Sequence, residues 1–274
     1  MNPLLTPFVA GLGYVEGGAE RGWEVVLPSG TMQILVNLDA DLLLSVREKM
    51  QQTRGAALQG PSFTPALIDL RHQRAIAWIA FRPGGAWPFL PAGFATADAR
   101  DLLVDLEDVW GRDGAVLRER LLAAPTRAAK LHVLEDVLLT RATAPLVPDL
   151  GVRTAVAALH QGAPVGAVTD RLGWTSRRLM RVLTEQVGLS PKRFSRVRRF
   201  QRLLSASSGP IEVDWARLAA DCGYHDQAHL IHEFRAFAGM TPTSYAPRSP
   251  AEHNHVRLPK STSQAAASGA TLAA

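Results

Sequence analysis

Two groups of side chains, about 51 residues apart, carry the donors, acceptors and methyl groups that can read the edges of bases. In the first, Arg177, Met180 and Arg181 fall on the helical face opposite Leu179, Val182 and Leu183. A guanidinium can hold guanine O6 and N7 with two parallel hydrogen bonds, which makes Arg177 and Arg181 candidate base contacts. In the second, Gln227, Ile231 and His232 share the corresponding face. A glutamine amide can pair with adenine, and an isoleucine can meet the methyl of thymine. Phosphates ask only for cations and polar groups beside these helices, and Thr175, Arg178, Lys192, Arg193 and His225 stand there. His229 is read as a packed histidine that bonds the backbone at the turn, in preference to a base contact.

Such faces exist only if the chain folds as two short helical hairpins, and the sequence writes the instructions for that hairpin twice. Gly173 and Gly223 supply the left-handed residue that stops a first helix. Trp174 and Tyr224 follow as aromatic wedges, and Thr175 and Asp226 can cap the next helix. Leu179, Val182 and Leu183, like Leu230, Phe234 and Phe237, recur at the spacing of one buried stripe. Gly188 and Gly239 end that helix, and Pro191 and Pro242 stand where a further helix can begin. The offset between copies is 50 at Gly173 and Gly223 and 51 from Thr175 and Asp226 onward, so the second turn holds one added residue.

Residues from about 150 to 248 thereby resemble the DNA-binding domain of AraC-type bacterial transcription regulators. The motifs are Leu172-Gly173-Trp174-Thr175 with Arg177, Leu179 and Arg181, Gly188-Leu189-Ser190-Pro191, Gly223-Tyr224 with Asp226, Gln227 and His229, and Gly239-Met240-Thr241-Pro242. Thr169, Leu183 and His232 depart from the alanine, phenylalanine and arginine usual in the family, and none of these removes a cap or a turn. The resemblance implies a seven-helix domain in which a long connector joins two helix-turn-helix units that enter successive major grooves. Lys192 to Leu204 can be that connector, since it lacks Gly and Pro and puts Phe194, Val197, Gln201 and Leu204 on one face. The partners implied are double-stranded DNA, RNA polymerase, a second copy of the chain and a small-molecule effector.

Charge is distributed to match. Residues 1–150 hold 14 Lys and Arg against 17 Asp and Glu, whereas residues 151–248 hold 14 against 7, so the basic excess lies on the repeat. Lys192, Arg193, Arg196, Arg198, Arg199 and Arg202 crowd the connector, and Arg198 is expected to pair with Asp170 or Asp221 inside the fold. A solvated basic face without DNA is the plainer reading of any charge run. The coincidence of charge, caps and repeat favours the first reading.

The front of the chain has another grammar. Glu24–Leu27, Met32–Leu38, Leu42–Val46 and Ala75–Phe81 read as strands, the last as fully buried, with turns at Gly11-Leu12-Gly13, Pro28-Ser29-Gly30 and Pro83-Gly84-Gly85. From about Ala97 the period turns helical, with stripes at Leu117, Leu121 and Ala124 and at Leu131, Leu134, Val137 and Leu138. Strands followed by helices ahead of an AraC-type segment resemble the cupin-like sensor and dimerisation domains of that family, whose barrel mouth can hold a small ligand. The fold class expected is α+β. A small β-barrel-like domain with following helices spans 1–142, a linker 143–150, an all-α domain 151–248, and a disordered tail 249–274.

Several chemistries are excluded. His72 and His132 are the histidines ahead of the linker and lie on unlike elements, so no metal site is expected. No Ser-His-Asp grouping, phosphate loop or HExxH pattern occurs, so neither an enzyme nor a cofactor is expected. Cys222 is the one cysteine and packs at the turn; disulfide stabilisation and methyl-accepting repair both need more. No apolar run reaches membrane-spanning length and no basic leader precedes an apolar core, so a cytoplasmic protein without membrane contact is expected. The rival reading is a small-molecule-binding or catalytic cupin-like protein whose helical part is only an interaction module.

Overall fold

The computed structural model describes residues 1–17, 22–143, 145–207 and 213–258. Its strands are β1 (Val9–Glu16), β2 (Trp23–Val26), β3 (Gln33–Asn37), β4 (Leu43–Val46), β5 (Met50–Thr53), β6 (Ala56–Gln59), β7 (Ala66–Asp69), β8 (Ala75–Phe81), β9 (Leu103–Asp105) and β10 (His255–Arg257). They form two antiparallel sheets, in the orders β1-β8-β3-β6-β9 and β10-β2-β7-β4-β5. The edges β5 and β9 are stitched at Gln51, which donates to the Asp101 carbonyl and accepts from the Leu103 N–H, and at Asp105, which accepts from Arg54 just past β5. The sheet-rich region is followed by a helical one, as the fold class anticipated.

Alternation along the strands sorts each sheet into two faces. On the first sheet Ile34, Val36, Ala77, Ile79 and Phe81 point outward and are buried beneath helices α1 (Leu106–Trp110), α2 (Arg112–Ala123) and α3 (Arg127–Arg141), whose Leu117, Leu121, Leu134 and Leu138 complete that core. On the second, Trp23, Val25 and Leu67 point outward into the core of the C-terminal helices. Residues 33, 35, 76, 78 and 80 face the space between the sheets. Ala75–Phe81 is therefore not fully buried: Ile76, Trp78 and Ala80 are only half-buried, because their face opens on a cavity.

Three further expectations need correction. Gly11-Leu12-Gly13 is no turn but the middle of β1, paired with β8. The glycines are required because a Cβ on Gly13 would lie 2.7 Å from the indole of Trp78, its cross-strand partner. The helical stretch begins at Leu106, since residues 103–105 pair with β6 as β9. The tail predicted as disordered from 249 is ordered as far as 258: Pro250–Glu252 makes a 3₁₀ turn and β10 adds to the edge of β2, His255 opposite Val26. The rest of that tail, 259–274, lies outside the described residues.

The C-terminal region holds α4 (Leu150–His160), α5 (Val165–Leu172), α6 (Ser176–Gln186), α7 (Pro191–Ser207), α8 (Trp215–Cys222) and α9 (Gln227–Ala238). Where the resemblance implied a seventh helix, only a 3₁₀ turn forms at Pro242–Ser244, and Pro247 forbids its extension. Asp149 caps α4, and Gly151 in its first turn leaves room for the Trp174 ring, which a Cβ there would meet at 2.4 Å.

Candidate nucleic-acid interface and inter-sheet cavity

Each repeat folds as its residues dictate. Gly173 and Gly223 adopt φ of 61° and 79°, and the following N–H groups, of Trp174 and Tyr224, return to Thr169 and Ala219 carbonyls at 3.0 and 2.8 Å. Thr175 caps α6 by accepting from the Arg178 N–H at 3.1 Å, and Asp226 caps α9 by accepting from the His229 N–H at 2.7 Å. That N–H, with the neighbouring His225 ring, holds the Asp226 carboxyl below the usual carboxylate range. Leu179, Val182, Leu183, Leu230, Phe234 and Phe237 are buried in one core with Phe194, Val197 and Phe200 of α7. Gly188 and Gly239 close α6 and α9 in the left-handed region, and Pro191 and Pro242 each open the segment that follows.

The opposite faces are open. Arg177, Met180 and Arg181 are exposed along α6, with Arg181 3.6 Å from Glu185 one turn on. Gln227 and His232 are exposed on α9, whereas Ile231 is half-buried against the core. Arg178 stacks on Trp174, its guanidinium 4.6 Å from the ring centre, which fixes a cation beside the start of α6. Lys192 and Arg193 are exposed at the start of α7, the latter resting on Phe63 of the sheet region. His225 is exposed, and its N–H donates to His229 Nδ1 at 3.2 Å, so His229 takes the packed role expected of it.

The connector arginines that face inward have other partners. Arg198 pairs with neither Asp170 nor Asp221: it bonds His160 Nδ1 at 3.0 Å, because its side of α7 packs on α4 and not on the turn helices. Burial and the guanidiniums of Arg198 and Arg202 push the His160 imidazole below its ordinary value, which keeps it neutral and able to accept. Arg202 donates to the His160 and Cys222 carbonyls. Arg196 and Arg199 close on Glu233 of α9 at 2.6 and 2.7 Å, and Glu233 is buried. Burial opposes ionisation of this carboxyl, yet the two guanidiniums win and hold it below the usual range. Cys222 is buried and its thiol is pushed up by desolvation.

Between the sheets lies a cavity of about 460 Å³. Apolar side chains make much of its wall, among them Leu35, Leu43, Ile68, Ile76 and Trp78, with Glu24, Arg47, Arg248 and His255 as charged or titratable groups. Its size falls within the range of small-molecule sites. Among the described residues no group of three or more His, Cys, Asp or Glu is placed to hold a metal ion, and no helix is long and apolar enough to cross a membrane.

A family model described as a helix-turn-helix domain matches residues 168–248. The segment is an AraC-type helix-turn-helix domain. The HTH-type transcriptional regulator GadX of Escherichia coli O6:H1 is 48% identical over 40 residues, 15% of this chain and 15% of that protein, and GadX of Escherichia coli O127:H6 matches to the same extent. The chain thus aligns with 15% of the length of the curated relatives it matches. Among solved structures, ToxT from Vibrio cholerae is 12% identical, with 87% of this chain and 97% of that chain covered and a TM-score of 0.46. A ToxT structure with bound (E)-4-(8-methylnaphthalen-1-yl)but-3-enoic acid is 10% identical at the same coverage and TM-score.

Two features that hold the AraC-type domain together escape a reading of the sequence alone. Glu233 sits inside the stripe of Leu230, Phe234 and Phe237, where a carboxylate needs a partner; Arg196 and Arg199, one turn apart on the connector, are the available signal. Phe63 has no periodic signal, yet its ring meets Phe237 edge-on at 5.1 Å between centres.

Proposed function

We propose that the protein is a sequence-specific transcription regulator: α6 and α9 enter successive major grooves of one duplex, and the sheet region senses a small molecule in the cavity between its sheets. The observation that supports this most is the pairing of two capped, left-handed-terminated helical hairpins whose exposed faces differ, Arg177, Met180 and Arg181 on one and Gln227 and His232 on the other. Different faces read different bases, so one copy of the chain recognises an asymmetric site. Ile231, half-buried, adds at most a methyl contact at the rim. Thr175, Arg178, Lys192, Arg193 and His225 hold phosphates and set register without reading sequence. Regulation follows if the sensed molecule binds unequally to two arrangements of sheet and helical regions. Assembly with RNA polymerase and pairing of two copies through the sheet region, residues 1–142, belong to the same proposal.

Selection of preferred sequences from random duplex DNA by the full chain tests it. An asymmetric consensus should emerge. On that consensus Arg177→Ala or Arg181→Ala should weaken binding by about 1–3 kcal/mol and relax one base position, while Lys192→Ala should weaken all duplexes alike and flatten the salt dependence. No consensus at physiological salt would leave the helical region an interaction module and sink the proposal.

A further inference from the structure

Glu24 stands out among the residues around the inter-sheet cavity. It lies on β2 between Trp23 and Val25, which point outward into the helical core, so its own side chain points inward, to the cavity wall. It is fully buried, and neither carboxylate oxygen receives a hydrogen bond. A buried acceptor without a donor costs free energy that a ligand can recover. His255 of β10 lies beside it, with Nδ1 buried, also without a hydrogen-bond partner, and 3.6 Å from Glu24 Oε1. Arg248 approaches the other oxygen at 3.7 Å, close enough for charge balance and too far for a hydrogen bond.

In the tautomer that carries its proton on Nε2, His255 Nδ1 is a second acceptor 3.6 Å from Glu24 Oε1, behind the cavity wall. Both acceptors lie behind the cavity surface, so one ammonium nitrogen reaches the two at ordinary hydrogen-bond length by parting the wall that separates them from the cavity. The other cations on the wall have partners: Arg47 donates to Thr64 and lies 3.7 Å from Asp101, and Arg74 grips Asp39 at 2.5 Å. The apolar wall of Leu35, Leu43, Ile68, Ile76 and Trp78 suits a hydrocarbon or aromatic body.

We propose that the cavity selects an organic amine, with an apolar body against Trp78 and its ammonium group between Glu24 and His255. This names the ligand class for the sensing role proposed above and rests on that reading. The site is also wired to the DNA-facing half. Asn254, next to His255, accepts from Gln201 of the connector at 2.8 Å, so an ammonium that draws β10 inward pulls on the helix that spaces the two recognition helices.

Calorimetric titration of the full chain with three probes that share an indole body tests the proposal: tryptamine, tryptophol and indole-3-propionate. Tryptamine should bind about tenfold or more tightly than indole-3-propionate, and Glu24→Gln should remove about tenfold from tryptamine while sparing tryptophol. Should Glu24→Gln fail to fold, His255→Leu removes the second acceptor and must weaken tryptamine selectively. Equal or reversed preference in the wild type overturns the amine assignment. If the acid is preferred and Ala80→Phe, which fills the cavity from β8, abolishes its binding, the cavity remains the sensing site and only the amine is wrong. If no probe binds the wild type, both readings fall.

Discussion

Glu233 shows how much of the AraC-type domain hangs on a single carboxylate. It joins α9 to α7 through Arg196 and Arg199, and Arg199 also lies over the Tyr224 ring at 4.8 Å, so the second hairpin, its turn aromatic and the connector meet in one cluster. Because the native carboxyl titrates below its ordinary value, the folded protein holds fewer protons than the unfolded chain between the two values. The stabilisation is therefore complete above the unfolded glutamate value, about pH 4.3, and is lost as pH falls through the lower native value. Glu233→Gln, which leaves two half-buried guanidiniums without a counter-charge, should lower the melting temperature at neutral pH, and the gap to wild type should close in acid. Thermal melts from about pH 3 to pH 7 check this, and curves that stay parallel would refute it. Counting charges also overstates the basic face: Arg196 and Arg199 are occupied by Glu233, Arg198 by His160, and Arg202 by the His160 and Cys222 carbonyls.

At the scale of elements, what is legible in the sequence is what is local. The caps Thr175 and Asp226, the glycines 173, 188, 223 and 239 and the stripes of α6 and α9 depend on residues within a turn or two of each other, so spacing alone exposes them. Strands β1, β6, β7, β9 and β10 escape such a reading because pairing across long loops decides them, and β5, in a short hairpin with β4, because Gln51, Gln52 and Thr53 give it no apolar alternation; β1 reads as a turn until β8 is placed beside it. β10 is the extreme case, a strand of three residues that pairs with β2 from the far end of the chain. The cavity is invisible for the same reason, since an inward Glu24 and an outward Val25 differ only by which side the helical region covers. β1 yields a direct test. Gly13→Val should force the Trp78 indole aside and destabilise by about 1–3 kcal/mol, as overpacking does. In a Trp78→Ala background the same change should cost much less, a coupling that chemical denaturation of the four proteins measures. Additive losses would show that Gly13 is needed for its backbone and not for the ring above it.

Across the whole molecule, the sheet region grips both hairpins and not merely the connector between them. The Thr96 hydroxyl donates to the Glu185 carbonyl at 2.6 Å and the Thr184 carbonyl at 3.2 Å, at the end of α6, while Pro61 and Thr96 crowd Gly188 so closely that a Cβ there would meet Pro61 at 2.4 Å. Phe63 sits against Phe237 of α9 under the guanidiniums of Arg193 and Arg196, and Gln201 of α7 donates to the Pro28 carbonyl at 2.6 Å. Phe63 and Thr64 are in turn held by Asp101, whose φ of 59° is unusual for a residue other than glycine and whose Oδ1 accepts both their N–H groups. The arrangement of α6 and α9 is thus fixed from outside the AraC-type domain as well as by α7. Helices held in advance need less ordering on DNA, so loosening this grip should weaken binding even though no DNA-facing residue changes. Phe63→Ala should lower the affinity of the full chain for its selected duplex by about tenfold and leave the slope against salt unaltered, because every side chain proposed to hold phosphate is still present. Affinity measured across a salt series separates the cases. A flattened slope would mean that Arg193, once released from Phe63, no longer holds its phosphate, and unchanged affinity would mean that α7 alone sets the spacing.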